Sequence, residues 1–225
     1  MVADSTCWTV IRAAAGGDAR AREQFARRYL PVVRAYLDAR WRAPFLRERV
    51  DDAVQEAFLE CYRRGGILER VDASRPGGFR PFLMGALRNV ARRVEERIRN
   101  ERARTTPRHD LDEVECDEDS LAVVVDRAWA REIVREAGER QRIAASQAGT
   151  AALRRVELLR LRFQEGLPIR EIATRWDADP ATVHHEYAKG RREFLSALEA
   201  TVADHHAGTP EEIRAECGKV LDAMG

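Results

Sequence analysis

Arg80, Arg88, Arg92, Arg93 and Arg97 crowd one stretch of the chain, with Asn89 among them. A guanidinium keeps its charge and offers a planar fork of donors that fits a phosphate. Such arginines neutralise phosphates and release counterions, an attraction indifferent to base sequence. Asn89 can both donate to and accept from a base edge. Residues 79–108 hold nine Arg against three Glu, so the local charge is strongly positive. The plainer reading of such a run is a solvated helix face. Phe79 and Phe82 can stack on unpaired bases. Their register with Leu83, Ala86, Leu87, Val90, Val94 and Ile98 favours core packing instead.

A second constellation fills residues 166–194. Ile169, Ile172 and Ala173 share one face of a short helix; a turn follows, then a helix with Val183 and Tyr187 inward. That is helix-turn-helix spacing, in which the second helix enters a DNA major groove. Ala181, Thr182, His184, His185 and Lys189 are its groove-facing candidates, while Arg191 and Arg192, further along, suit phosphates. An ordinary helical hairpin in a core is the competing reading.

A third cluster is acidic: Asp51, Asp52, Glu56 and Glu60. Carboxylates one turn apart can hold a magnesium ion. Asp51 and Asp52 more simply stabilise a helix N-terminus, leaving Gln55 and Glu56 as a polar edge. A metal-dependent nuclease would need a second ligand cluster, which the sequence does not offer. Cys7, Cys61, Cys116 and Cys217 form no CxxC pair, and Cys61 falls on an apolar helical stripe. His205, His206 and Cys217 fit no common metal spacing. No catalytic residue, metal or cofactor is expected. No apolar stretch approaches the roughly 20 residues that span a membrane, and no signal-peptide pattern opens the chain. A cytoplasmic protein with reduced thiols is the expectation.

The elements that position these residues are helices. Apolar residues make up 44% of the 225 and aromatic residues only 7%, and Ala, Arg, Glu and Leu recur. These residues lose little side-chain freedom in a helix, and no alternating run is long enough for a sheet. Periodicity predicts helices over 9–15, 19–40, 51–64 and from 79 past 99, packed as one bundle. Pro31 should kink or break the second. Asp18 should cap it. Residues 110–119 carry seven acidic side chains and no basic one, which argues for a flexible linker. Helices over 121–145, 153–164, 168–176, 180–200 and 210–223 follow, with Asp179 as N-cap and Pro180 in the first turn of the fourth.

Four motifs in order carry a resemblance. They are Ala15-Gly16-Gly17-Asp18-Ala19 through Leu37, Asp52-Ala53-Val54-Gln55-Glu56-Ala57-Phe58-Leu59, Phe79-Arg80-Pro81-Phe82-Leu83 through Arg88-Asn89-Val90-Ala91, and Gly166-Leu167-Pro168-Ile169-Arg170-Glu171-Ile172-Ala173 followed by Ala181-Thr182-Val183. Together they resemble the sigma-70 superfamily of RNA polymerase sigma factors, within it the small extracytoplasmic-function group. The match covers roughly residues 9–104 and 151–198.

The resemblance implies an all-α protein of two helical domains joined by an acidic linker. Residues 1–104 would form a four-helix-type domain for core polymerase and the −10 element, 105–150 the linker plus a helix, 151–200 a helix-turn-helix domain for the −35 element, and 201–225 a tail. It implies that Asp52, Gln55, Glu56 and Leu59 dock on the clamp helices of the polymerase largest subunit. Arg80, Arg88, Asn89, Arg92, Arg93 and Arg97 would bind and help melt the −10 element. His184, His185 and Lys189 would face the −35 element. Partners would be core polymerase, promoter DNA and an anti-sigma factor, and the chain itself would catalyse nothing. The family usually reads K-S-R after T-V, where this chain has His184-His185-Glu186. Two basic groups are lost there and an acid is added beside the DNA. The other reading is a free-standing helix-turn-helix regulator, which would bind duplex DNA alone as a dimer.

Overall fold

The computed structural model describes residues 7–71, 79–105, 118–206 and 208–225. Eleven helices are found among them: α1 (Cys7–Ala15), α2 (Ala19–Arg40), α3 (Pro44–Arg47), α4 (Val50–Tyr62), α5 (Ile67–Arg70), α6 (Arg80–Thr105), α7 (Glu118–Ala148), α8 (Thr150–Phe163), α9 (Ile169–Arg175), α10 (Pro180–His205) and α11 (Pro210–Asp222). No strand occurs among the described residues, so the protein is all-α there. None of these helices is long and apolar enough to cross a membrane. The turn at 74–78, Cys116 and most of the acidic stretch, residues 110–117, lie outside the described residues.

Two compact units divide the chain: residues up to Glu132 together with Asp204–Gly225, and Ile133–Ala203. Helix α7 contributes to both, as does α10.

In the first unit α2 packs against α1 and α4, and α4 against α6. Phe25 is fully buried at the centre, with ring centroids of Tyr29 at 4.7 Å, Phe79 at 5.5 Å, Tyr62 at 5.8 Å and Phe58 at 6.1 Å. Tilted and edge-on rings at these separations add to the burial of their area. Phe79 therefore belongs to the core, and Phe82 is half-buried. Trp129 of α7 stacks on Tyr29 at 5.7 Å, and His205 meets Trp129 edge-on at 5.7 Å. The Cys7 thiol lies 2.9 Å from the Tyr29 hydroxyl. Those contacts bring the end of α10 into the first unit, and α11 buries Cys217 and Val220. Cys61 is buried as well, and burial pushes its thiol up to about 12.

Asp18 caps α2 by accepting the Ala21 amide proton at 2.7 Å, as its type and place predict. Pro31 does not end that helix: α2 runs through it, with Pro31 exposed. Buried Tyr29, Val32, Val33 and Tyr36 flank the proline. Their packing outweighs the roughly 3 kcal/mol that an interior proline costs. The short α3 and α5 have no counterpart in the predicted elements. Gly149 separates α7 from α8 with φ at 100°, a conformation that suits glycine.

Truncating a ring at the centre of this core removes contacts that no neighbour can replace. Phe79→Ala is expected to lower the unfolding free energy by about 3–5 kcal/mol, and Phe79→Leu by distinctly less. Chemical denaturation followed by circular dichroism measures both.

Candidate nucleic-acid interface

Helix α6 is divided lengthwise. Leu83, Leu87, Val90, Ala91, Val94 and Ile98 are buried on one side. Arg88, Asn89, Arg92, Arg93 and Arg97 are exposed on the other. A three-way contact with the end of α2 sets that orientation. Arg40 gives a forked pair to the Glu95 carboxylate, Nε at 2.7 Å and Nη2 at 3.0 Å, and the Trp41 indole N–H donates to it at 2.8 Å. Bidentate charge-assisted pairs are the strong and directional ones. Burial alone would raise the Glu95 carboxyl, yet the hydrogen bonds from Arg40 and Trp41 outweigh it and hold it below the ordinary glutamate value.

Arg80 differs from the other arginines. It is half-buried and paired with Asp126 of α7. Burial lowers its pKa while nearby Glu216 of α11 acts the other way. Its guanidinium is thus engaged within the protein.

On α4 the side chains of Asp52, Gln55 and Leu59 are exposed, Leu59 by 69%. An apolar side chain this bare on a polar helix edge is available for contact with another surface. Glu56 is turned partly inward. It pairs with Arg97 at 3.2 Å and Arg93 at 3.5 Å, while Glu60 pairs with Arg93 at 3.2 Å and Arg63 at 2.6 Å. Asp51 pairs with Arg34 at 2.5 Å. Three of the four clustered acids thus have cationic partners, the opposite of what a metal ligand set needs. Among the described residues no group of three or more His, Cys, Asp or Glu side chains could hold a metal ion.

In the second unit α9 and α10 meet over a core of Leu158, Leu161, Ile169, Ile172, Ala173 and Val183, with Tyr187 and Trp176 packed against it. Val183 is the seat of α10 on its shorter neighbour. Asp177 turns the chain with φ at 47°. Asp179 caps α10, accepting from the Thr182 amide at 2.9 Å and from its hydroxyl at 3.1 Å. Those bonds hold the Asp179 carboxyl below its ordinary value. Ala181, Thr182, His184, His185, Lys189, Arg191 and Arg192 are all exposed. The Arg191 guanidinium lies 5.8 Å from the Tyr187 ring centroid.

Glu186 corrects an expectation. It does not add a free acid to the outer face, because Arg155 of α8 pairs with it at 3.1 Å. The Arg155 side chain is only 8% exposed; it also forks onto Glu193 through Nε at 2.9 Å and Nη2 at 2.7 Å. Glu186, Gly190 and Glu193 lie on one inward face of α10. A Cβ at Gly190 would sit 3.3 Å from that of Arg155, so glycine permits this close approach. The Gly190 carbonyl accepts from the Gln141 amide at 3.0 Å. Sequence reasoning missed Arg155. Its signal was an arginine on the apolar side of α8, with two glutamates seven residues apart on a later helix.

Compared with known proteins, the chain matches no family model and no curated protein sequence.

The buried guanidinium is the part of the second unit least able to lose its partners. Arg155→Ala removes the cation that Glu186 and Glu193 share, a change expected to cost about 1–3 kcal/mol. Paired comparison with Glu193→Gln by thermal melts should find the arginine variant the less stable. In the first unit, Glu95 contributes a pH dependence. Its folded pKa is lowered, so its contribution is present above the unfolded value near 4.5 and is lost as pH falls through the folded one. Glu95→Gln should therefore be less stable than wild type at neutral pH by about 1–3 kcal/mol. The gap should close on acidification, as urea titrations at stepped pH would measure.

Proposed function

We propose that this chain is a transcription-initiation factor of the sigma-70 type, within the extracytoplasmic-function group, acting in the cytoplasm. One observation carries the reading. Each compact unit has a helix fixed by its own core that turns a row of phosphate- and base-reading side chains to solvent: Arg88, Asn89 and Arg92 on α6, and Thr182, His184, His185 and Lys189 on α10. The four motifs in the family's order support the same reading.

On this reading α6 grips the strands of the −10 element. Its arginines supply affinity through phosphates and Asn89 reads a base edge. Helix α10 enters the major groove of the −35 element by its first two turns. Asp52, Gln55 and the bare Leu59 on α4 dock on the clamp helices of the polymerase largest subunit. The polymerase performs the bond-making chemistry, and the chain chooses where it starts. A free-standing helix-turn-helix regulator would give α9 and α10 the same role but leaves Leu59 and the α6 arginines without one.

Core RNA polymerase and a promoter library test this. The wild-type chain is expected to bind core polymerase and support initiation at a defined promoter class. Arg88→Ala/Arg92→Ala should keep core binding and lose strand opening. His184→Ala/His185→Ala should lose −35 preference only. Asp52→Ala/Leu59→Ala should weaken core binding about tenfold or more, the factor that 1.4 kcal/mol produces. A chain that ignores core polymerase and binds palindromic duplex DNA alone would overturn the reading in favour of the regulator.

A further inference from the structure

We infer that the cavity between α1 and α5 is a binding site for a small apolar α-amino acid, its body against Trp8, Ile11 and Leu68 and its two charges on Arg12 and Glu69. The site is separate from the surfaces assigned above: none of these residues lies on α4, α6 or α10.

The cavity follows from how two short helices meet. Helix α1 has nine residues and α5 only four, of which Leu68 is the buried one. The two pack against each other, but the shorter cannot cover the longer. A cavity of about 370 Å3 is left between them, which Ala15 and Val71 also line. That size lies at the lower end of small-molecule sites. Its apolar lining comes from Ile11 and Leu68, both buried, and from the half-buried indole of Trp8.

Two opposite charges line the same cavity without meeting. The Arg12 guanidinium has no ion pair or hydrogen bond to any described residue, Glu69 included. Glu69 is held within its own turn, where its Oε2 accepts the Gly65 amide proton at 2.7 Å. Gly65 adopts φ of 67°, and a Cβ at Gly66 would sit 2.6 Å from the carbonyl oxygens of Glu60 and Arg63. These two glycines fix the start of α5, and with it the place of the carboxylate.

That arrangement selects the ligand. An apolar carboxylate would satisfy Arg12 and be repelled by Glu69. An apolar amine would do the reverse. A residue inside a peptide carries neither charge. A free apolar amino acid brings both: a carboxylate for the guanidinium fork and an ammonium for Glu69, on one carbon that also bears the body the cavity buries. Burial of the body supplies most of the affinity. The charges sit at the surface, so each adds little alone; what they supply is selectivity against molecules with only one of them.

Isothermal titration calorimetry on the full-length chain tests this, with L-leucine, L-phenylalanine and L-tryptophan as probes. At least one is expected to bind with Kd of about 0.1–1 mM. Its analogues lacking the amino group or the carboxylate (3-phenylpropionate and phenethylamine, for phenylalanine) should bind about three- to tenfold more weakly. Glycine, which has no body, should not bind. Arg12→Gln and Glu69→Gln should weaken the probe by a similar factor, the second keeping an oxygen for the Gly65 amide. Ala15→Leu fills the cavity, leaves both charges and should abolish binding. Arg20→Gln makes the same charge change at an exposed position of α2 and should leave binding unchanged. Thermal melts establish that each variant is folded. No binding of the three probes at about 10 mM, or Ala15→Leu binding as wild type, overturns the site. Analogues binding as tightly as the amino acid, or both glutamine variants binding as wild type, overturns the assignment of its ligand.

Discussion

An arginine stays charged at any pH a protein works at, so each guanidinium must meet water, a carboxylate or a phosphate. In a chain whose cations are nearly all arginine, that constraint sorts the structure. Arg40 and Arg155 meet carboxylates in shelter, and each clamps one helix to another. Arg92 and Arg192 are exposed to water. Arg93 and Arg97 stand between, held by glutamates that are themselves half-accessible. Helix orientation in both units follows from the first group, and the available charge on the surface follows from the second.

The helices were legible because their signals are local. Apolar spacing, Asp18, Asp179 and Pro180 act over one or two turns, and sequence neighbours carry that information. Pro31 misled because its cost is local while the packing of Tyr29, Val32, Val33 and Tyr36 that overrides it is tertiary. Helices α3 and α5 hold four residues each, too few for a period to register. The site was half-legible for the same reason. Which residues face outward on α6 and α10 follows from the stripe on the inward side. What those residues touch does not. Arg155 and Glu193 are 38 positions apart, and Arg97 and Glu56 are 41 apart. Neither pairing leaves a periodic trace, so Glu186 read as a free acid and Glu56 as an open edge.

The two outward faces are chemically unequal. On α6 the exposed guanidinium groups present charge that would draw phosphates, an attraction that salt weakens. On α10 the first turns carry Thr182, His184 and His185, and the cations Lys189, Arg191 and Arg192 come later. Arg155 compensates Glu186 and Glu193 from the inward side of α10. Base-edge contacts specify while phosphate contacts position. On the proposed reading, a face with hydroxyl and imidazole groups at its leading end and cations behind it suits reading first and holding second.

Weak holding has a physical advantage when two faces act on one nucleic acid. Discrimination is a difference between affinities, and a face that holds any duplex tightly leaves little room for the correct one to do better. Dividing recognition between two modest surfaces makes the second binding event intramolecular, so the pair can be selective where neither is strong. On the proposed reading, the carboxylates that pair with Arg93 and Arg97 fit this logic. They pair with two arginines of a helix that Glu95, Arg40 and Trp41 hold independently. The charge that α6 presents is thus set by its contacts with α4, and its orientation by its contact with the end of α2.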